Sequence, residues 1–158
     1  MKKKNFSIVI LMLMGVLAFT GCSKKEGCTE SWADNYDPTA EENDFSCYKI
    51  GCWDSKANNY EANVTDNCCC TYSVKYTLSC SSCDITYENS SGGTSQESNV
   101  NSTWSYSFTG YDGDFVYLSA QNNNNSGSIT VNILVGGSVY KTSTSSGAYV
   151  IATASGSL

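Results

Sequence analysis

The residues best suited to chemistry in this 158-residue chain are its nine cysteines. Thiols can be acylated, oxidised to disulfides or bound to soft metals, and the compartment decides among these fates. The chain has no histidine, and all nine of its basic residues are lysine. It therefore lacks the imidazole of Ser-His-Asp triads and the arginine fork that clamps phosphate. We predict a protein that is not an enzyme and uses no cofactor.

Net charge narrows the classes of partner. Fifteen acidic residues against nine lysines give a formal charge of −6 at pH 7. Nucleic-acid binding needs a basic surface that neutralises phosphates, and this composition does not supply one. We therefore expect no nucleic-acid partner.

Cys22 follows a segment with the features of an export signal. Lys2, Lys3 and Lys4 precede an apolar stretch over residues 6–19, and Gly21 stands directly before the cysteine. The stretch fits a signal-peptide core and is shorter than a bilayer span. The segment resembles a bacterial lipobox, which implies that residues 1–21 are removed and that Cys22 becomes the lipidated first residue of the mature protein, carrying palmitate. The alternatives are ordinary cleavage with a free Cys22 or an uncleaved anchor.

The resemblance to a lipobox also implies a location. We expect a lipid-anchored protein of the cell envelope, with the outer membrane favoured over the inner because Ser23, rather than aspartate, follows the cysteine. Residues 22–26 form a short tether. Loss of three lysines leaves the mature chain at −9, so the acyl chains rather than charge must hold it on an anionic membrane.

Residues 27–48 and 51–72 form two repeats with an offset of 24 positions. Gly27-Cys28 matches Gly51-Cys52, and Asn35-Tyr36 matches Asn59-Tyr60. Both resemble the short cysteine-rich G-C-x(4)-A-x-N-Y repeats of bacterial surface lipoproteins. Neither has enough apolar residues for a core, so disulfides must replace burial over residues 27–72.

Eight cysteines remain as disulfide candidates, and they allow 105 pairings. They are Cys28, Cys47, Cys52, Cys68, Cys69, Cys70, Cys80 and Cys83. The repeat suggests Cys28 with Cys47, and Cys52 with one of the 68–70 run. The other two of that run then reach Cys80 and Cys83, or Cys80 and Cys83 close locally.

Metal binding is the alternative use of these residues. The Cys80-Ser-Ser-Cys83 spacing would suit a thiolate site, but exported thiols oxidise and no histidine assists them. The many acidic residues of the repeats could in principle bind calcium, but the sequence lacks the D-x-D-x-D-G pattern typical of a calcium-binding loop. We expect no metal site and a solvated acidic face, comprising Glu30, Asp34, Asp37, Glu41, Glu42, Asp44, Asp54, Glu61 and Asp66.

From Ser73 onward the sequence alternates apolar and polar residues. This period of two predicts half-buried antiparallel strands. Turn residues separate seven or eight such stretches, and Gly136-Gly137 is a strong hairpin signal. We predict an all-β protein in which residues 73–158 form an antiparallel β-sandwich. The inward residues are Val74, Tyr76, Ile85, Trp104, Val116, Leu118, Ile129, Val131 and Ile133.

The same residues carry a family resemblance. VKYTLS, DITY, the strand after Trp104 and SITVNI follow one another in the order typical of the small mycobacterial membrane protein family. The usual L-P-W of that family is Ser102-Thr103-Trp104 here. The resemblance covers residues 73–158 and implies an immunoglobulin-like sandwich with an accessory role beside a membrane exporter.

The sequence is compatible with three functions. The first is a non-enzymatic envelope lipoprotein that contacts a transporter or another protein through aromatic side chains. The second is a surface glycan-binding or adhesion module, with Tyr111 and Tyr117 as the most exposed stacking candidates. The third is an enzyme using Asp112 and Asp114, although two acids in a tight turn more simply stabilise that turn.

Overall fold

The computed structural model describes residues 23–158 and contains, within them, twelve β-strands and no helix. The chain divides into two compact units, of which the first ends at Cys47 and the second is Tyr48–Leu158. In the described part, no helical segment is long and apolar enough to cross a membrane. The strands are β1 Glu26–Gly27, β2 Glu42–Asn43, β3 Ile50–Gly51, β4 Asp66–Asn67, β5 Thr71–Ser79, β6 Cys83–Glu88, β7 Thr94–Val100, β8 Ser105–Tyr111, β9 Phe115–Asn122, β10 Ser128–Val135, β11 Ser138–Ser146 and β12 Ile151–Ser157.

The first unit has very little apolar interior. Its buried hydrophobic residues are Cys28 and Ala33. Strands β1 and β2 form a two-residue parallel pair, and the backbone N–H of Asp37 donates to the carbonyl of Cys28 at 2.9 Å. Cys28 is paired with Cys47, with their Cα atoms 4.9 Å apart. The covalent bond thus closes a loop that burial alone is too small to hold.

The second repeat adopts the same local structure. Strands β3 and β4 pair in parallel, and Glu61 donates from its backbone N–H to the carbonyl of Cys52 at 2.8 Å. This bond occupies the place of the one between Asp37 and Cys28, 24 positions earlier. The sequence offset is therefore also a structural offset.

The second repeat packs on the sandwich within the second unit. Cys52 and Cys70 are buried in the same hydrophobic cluster as the sandwich core. The backbone N–H of Asn58 donates to the carbonyl of Thr71 at 2.7 Å, which ties the repeat to the start of β5. The boundary predicted from the sequence between the repeats and the sandwich, between residues 72 and 73, lies inside this strand. The structure groups residues 48–72 with the strands that follow.

Residues 71–158 form an antiparallel β-sandwich of two four-stranded sheets. The first sheet has the order β11-β10-β5-β8, and the second has the order β12-β9-β6-β7. All six pairings between these strands are antiparallel. This confirms the all-β sandwich predicted from alternation, and immunoglobulin-like domains share the architecture.

The core consists of the predicted inward faces of the two sheets. Burial alternates residue by residue along β9 and β10, as expected for strands with one solvated face. Eight of the nine predicted inward residues are buried, and Trp104 is half-buried against the same cluster. Trp104 precedes β8 rather than starting it, because β8 begins at Ser105.

Strand β7 lies outside the pattern that the sequence analysis used. Its sequence, TSQESNV, shows no apolar alternation, and most of its residues are exposed. It is one of the two edge strands of the second sheet and pairs only with β6. A strand at an edge with no buried face is held by backbone bonds, which periodicity does not detect.

The hairpin between β10 and β11 turns at Gly136-Gly137, as predicted. Both glycines have positive φ, at 57° and 81°, and Val135 pairs directly with Ser138. This is the geometry of a type I′ turn, which matches the twist of the flanking strands.

Candidate functional site

The structure pairs all eight disulfide candidates. In addition to Cys28 with Cys47, it joins Cys52 to Cys70, Cys68 to Cys69 and Cys80 to Cys83. The first two pairs are those that the repeat suggested, and the third was not among the alternatives drawn from the sequence. Of the two alternatives predicted for Cys80 and Cys83, the structure has the local disulfide between them, with Cα atoms 6.4 Å apart, and no disulfide from either to the 68–70 run. Cys22, the lipidation candidate, lies outside the described residues.

A lysine–carboxylate pair that was not predicted from the sequence recurs in both repeats. Lys25 Nζ lies 2.7 Å from Asp37 Oδ2, and Lys49 forms an ion pair with Glu61. Both pairs follow the 24-residue offset. The signal was present, because extending the alignment two residues upstream of Gly27 and Gly51 would have placed Lys25 in the repeat rather than in the tether.

Asp37 is the most strongly perturbed carboxylate of the first unit. The hydrogen bond from Lys25 and those from the side chain and backbone N–H of Thr39 hold the pKa of Asp37 well below its usual range. Each of these donors favours the ionised form. An aspartate already occupied by an ammonium and two other donors has a structural role, and this accounts for one acid of the predicted solvated face.

Among residues 23–158, no three cysteine, aspartate or glutamate side chains are grouped so as to hold a metal ion.

Of the two turn acids Asp112 and Asp114, the second stabilises the turn between β8 and β9, because Tyr111 donates its backbone N–H to Asp114 Oδ2 at 2.8 Å. This is the turn-stabilising role considered above, and it uses one of the two carboxylates that the enzyme hypothesis required.

The two interaction candidates have different surroundings. Tyr111 is 58% exposed at the end of β8, whereas Tyr117 is half-buried on β9. Tyr117 stacks with Phe115 on the outer face of the second sheet, with ring centroids 6.3 Å apart. Phe115 itself is 54% exposed. The sequence ranked Tyr111 and Tyr117 together, but the structure makes Tyr111 and Phe115 the exposed rings.

A cleft of about 470 Å³ lies between the β6–β7 turn and the β8–β9 turn. We call it the acidic aromatic cleft; it is lined in part by Glu88, Asn89, Phe108, Tyr111, Asp114 and Phe115. Phe108 is half-buried and belongs to a group of packed rings that includes Tyr76, 5.5 Å away, and Tyr106, 5.6 Å away. The cleft therefore has a fixed aromatic side and an acidic rim.

A second, polar groove of about 320 Å³ crosses the outer face of the second sheet. Asp84, Gln96, Gln121 and Ile151 are among its lining residues. Asp84 Oδ1 accepts hydrogen bonds from Asn123 Nδ2 at 2.8 Å and from the backbone N–H of Asn99 at 2.9 Å. These bonds lower the pKa of Asp84. The groove is thus lined by ordered amide and carboxylate groups.

No protein-family model matches the sequence, and a search of curated proteins finds no match either. The resemblances to the small mycobacterial membrane protein family and to the cysteine-rich lipoprotein repeats therefore stay predictions. The fold and the site geometry define a disulfide-rich β-sandwich with concavities on its surface.

Proposed function

We propose that this protein is a non-enzymatic, lipid-anchored envelope module that binds another protein, as an accessory beside a membrane transporter. The observation that supports it best is Phe45, whose side chain is 91% exposed. Aromatic residues, phenylalanine among them, are enriched in the cores of protein interfaces, so a phenylalanine left almost wholly in solvent is a candidate anchor for a partner.

The backbone around Phe45 supports this reading. Phe45 has φ of 62°, a left-handed conformation that bulky residues adopt rarely. The turn is held by side chains on either side: Asn43 accepts from the N–H of Phe45, and Asp44 accepts from the N–H of Ser46, both at 2.9 Å. Strained residues held by their surroundings concentrate at functional sites.

The anchoring part of the proposal rests on the sequence. The lysines at residues 2–4, the apolar stretch and Gly21-Cys22 indicate lipidation of Cys22. The transporter part rests on the resemblance of residues 73–158 to the small mycobacterial membrane proteins.

Site-specific photo-crosslinking in intact bacteria tests the proposal. A photoreactive phenylalanine analogue replaces Phe45 in one strain and Glu41, an exposed acid of the same unit, in the control strain. We expect a discrete adduct with an integral-membrane transporter subunit from position 45 and none from position 41. Equal labelling at the two positions would refute an interface at Phe45, and an adduct only with a soluble protein would refute the transporter assignment.

A glycan-binding module is the second candidate, and the polar groove favours it. The groove and the Phe115–Tyr117 stack share the outer face of the second sheet, because residues 115, 117, 119 and 121 of β9 alternate with buried ones. Stacked rings beside amide and carboxylate groups suit a sugar, which has an apolar face and hydroxyl edges. Binding on a glycan array that is lost in Tyr117→Ala and kept in Tyr149→Ala would support this candidate; no binding on the array would refute it.

A further inference from the structure

We propose that the acidic aromatic cleft binds an aliphatic ammonium group, the side chain of a lysine presented by the partner protein. The proposal rests on the proposed function in one respect, namely that the partner is a protein. The cleft is a concave site with both apolar and polar lining, and its volume of about 470 Å³ exceeds what a lysine side chain needs.

The aromatic lining of the cleft is suited to a cation. Tyr111 and Phe115 leave more than half of their surface in solvent, at 58% and 54%, although both belong to strands of a well-packed sandwich. Phe108 is held in place by its contacts with Tyr76 and Tyr106. The faces of such rings carry negative potential and attract cations placed within about 6 Å.

The carboxylates of Glu88 and Asp114 give the cleft a negative charge. Glu88 is half-buried at the end of β6 and forms no ion pair within the described chain. Asp114 uses Oδ2 for the N–H of Tyr111, so Oδ1 remains to accept from a ligand. The sandwich has two lysines, Lys75 and Lys141, and neither lines the cleft. The field in the cleft is therefore negative, with no internal cation to neutralise it.

These features select an ammonium over other ligands. A neutral apolar group would desolvate the carboxylate of Glu88 without replacing its hydrogen bonds. An anion would be repelled. Glu88 ends β6 and Asp114 lies in the β8–β9 turn, so the two carboxylates face the cleft from different elements, and the three divergent N–H groups of a lysine ammonium suit acceptors in different directions. A planar guanidinium instead pairs its parallel N–H groups with one carboxylate.

The test is an NMR titration of the chain from residue 22 onward, with all four disulfides formed and Cys22→Ser to keep it in solution. The probes are Nα-acetyl-lysine-N-methylamide, its norleucine counterpart, which is neutral and of similar length, and its arginine counterpart. We expect the lysine probe to shift the amide signals of Tyr111 and Phe115, and to bind more weakly at high salt. The norleucine probe should not bind, and the arginine probe should bind more weakly.

Variants locate the site. Glu88→Gln, which keeps the shape of the side chain, and Tyr111→Ala should each weaken lysine binding roughly fivefold. Tyr149→Ala removes an equally exposed ring outside the cleft and should leave binding unchanged. A urea-unfolding curve for each variant shows that the fold is intact.

Equal binding of the lysine and norleucine probes would overturn the proposal, as would tighter binding of the arginine probe or shifts confined to other parts of the sandwich. The titration needs no partner, so it fails or succeeds independently of the crosslinking experiment. Absence of adducts at Phe45 with intact lysine binding would remove the proposed partner and leave the cleft assignment standing.

Discussion

Replacement of Ile133 by alanine tests the sandwich most directly. Ile133 lies in β10, between β5 and β11, and is paired with Tyr76 on one side and Lys141 on the other. Its side chain is fully buried, at 0% exposure. Strand β10 is internal to its sheet, so it cannot move aside to fill a void without breaking two ladders of backbone hydrogen bonds.

The expected loss of stability follows from this environment. Ile133→Ala deletes three carbon atoms, whose transfer from water accounts for about 2–3 kcal/mol. The cavity adds to this, because a close-packed site between two ladders collapses only partly. We therefore expect Ile133→Ala to lower the free energy of unfolding by about 3–5 kcal/mol.

Thr130→Ala is the matched control on the same strand. Thr130 lies on the opposite face of β10 and shares a hydrogen bond with Thr144, with the two Oγ1 atoms 2.9 Å apart. A cross-strand pair of this kind contributes about 0.2–1 kcal/mol, so Thr130→Ala should lower stability by no more than about 1 kcal/mol.

Urea unfolding of the oxidised protein, followed by circular dichroism, measures both variants. The midpoint should fall strongly for Ile133→Ala with an unchanged slope, since the amount of surface exposed on unfolding stays the same. Equal losses for the two variants would mean that both faces of β10 are equally buried, and the register and the core described above would be wrong.

Three further predictions concern the first unit and its anchor. Cys22→Ser should release the protein from the membrane fraction and abolish incorporation of labelled fatty acid; continued acylation would contradict lipidation at this residue. The double variant Cys28→Ala, Cys47→Ala should destabilise the first unit by about 3 kcal/mol, seen as rapid proteolysis between residues 23 and 47, because the lost loop closure is not compensated by burial; unchanged protection would contradict this. Asp37→Asn should destabilise the first unit at neutral pH. The pKa of Asp37 is lowered by folding, so the stabilisation is present above its unfolded value, about 4, and is lost as the pH falls through the folded value. The difference between wild type and Asp37→Asn, followed by hydrogen exchange, should therefore shrink below about pH 4; a difference constant down to pH 2 would refute the assignment.

The sandwich was predictable because alternation is a local property. On β9 and β10, each inward residue is two positions from the next, and a shift of one residue would expose all of them, so the pattern itself fixes the face. The edge strand β7 was not predictable in this way. Its residues have no buried face, and its position is set by the backbone hydrogen bonds that it forms with β6.

The disulfides illustrate the same division. The repeat was enough to predict a disulfide between Cys28 and Cys47 and one between Cys52 and a cysteine of the 68–70 run, because equivalent cysteines in two repeats are expected to form equivalent disulfides. The choice of Cys70 required the fold, because this cysteine, directly before β5, is the one of the three that is buried in the core. The ion pairs of Lys25 and Lys49 lay within reach of the alignment, but their partners are 12 residues away along the chain, and only folding shows the contact.

The fold class, the repeat, the faces of most strands and the lack of histidine and arginine chemistry can all be predicted from the amino-acid sequence alone. These properties depend on residue type and short-range spacing, which the chain carries whether folded or not. Which exposed rings and acids lie close together depends instead on how the two sheets pack. Glu88 ends β6 and Asp114 lies in the β8–β9 turn, Phe108 and Phe115 belong to different sheets, and no local pattern relates them. The acidic aromatic cleft exists because the two sheets pack face to face and bring the β6–β7 and β8–β9 turns to its two sides.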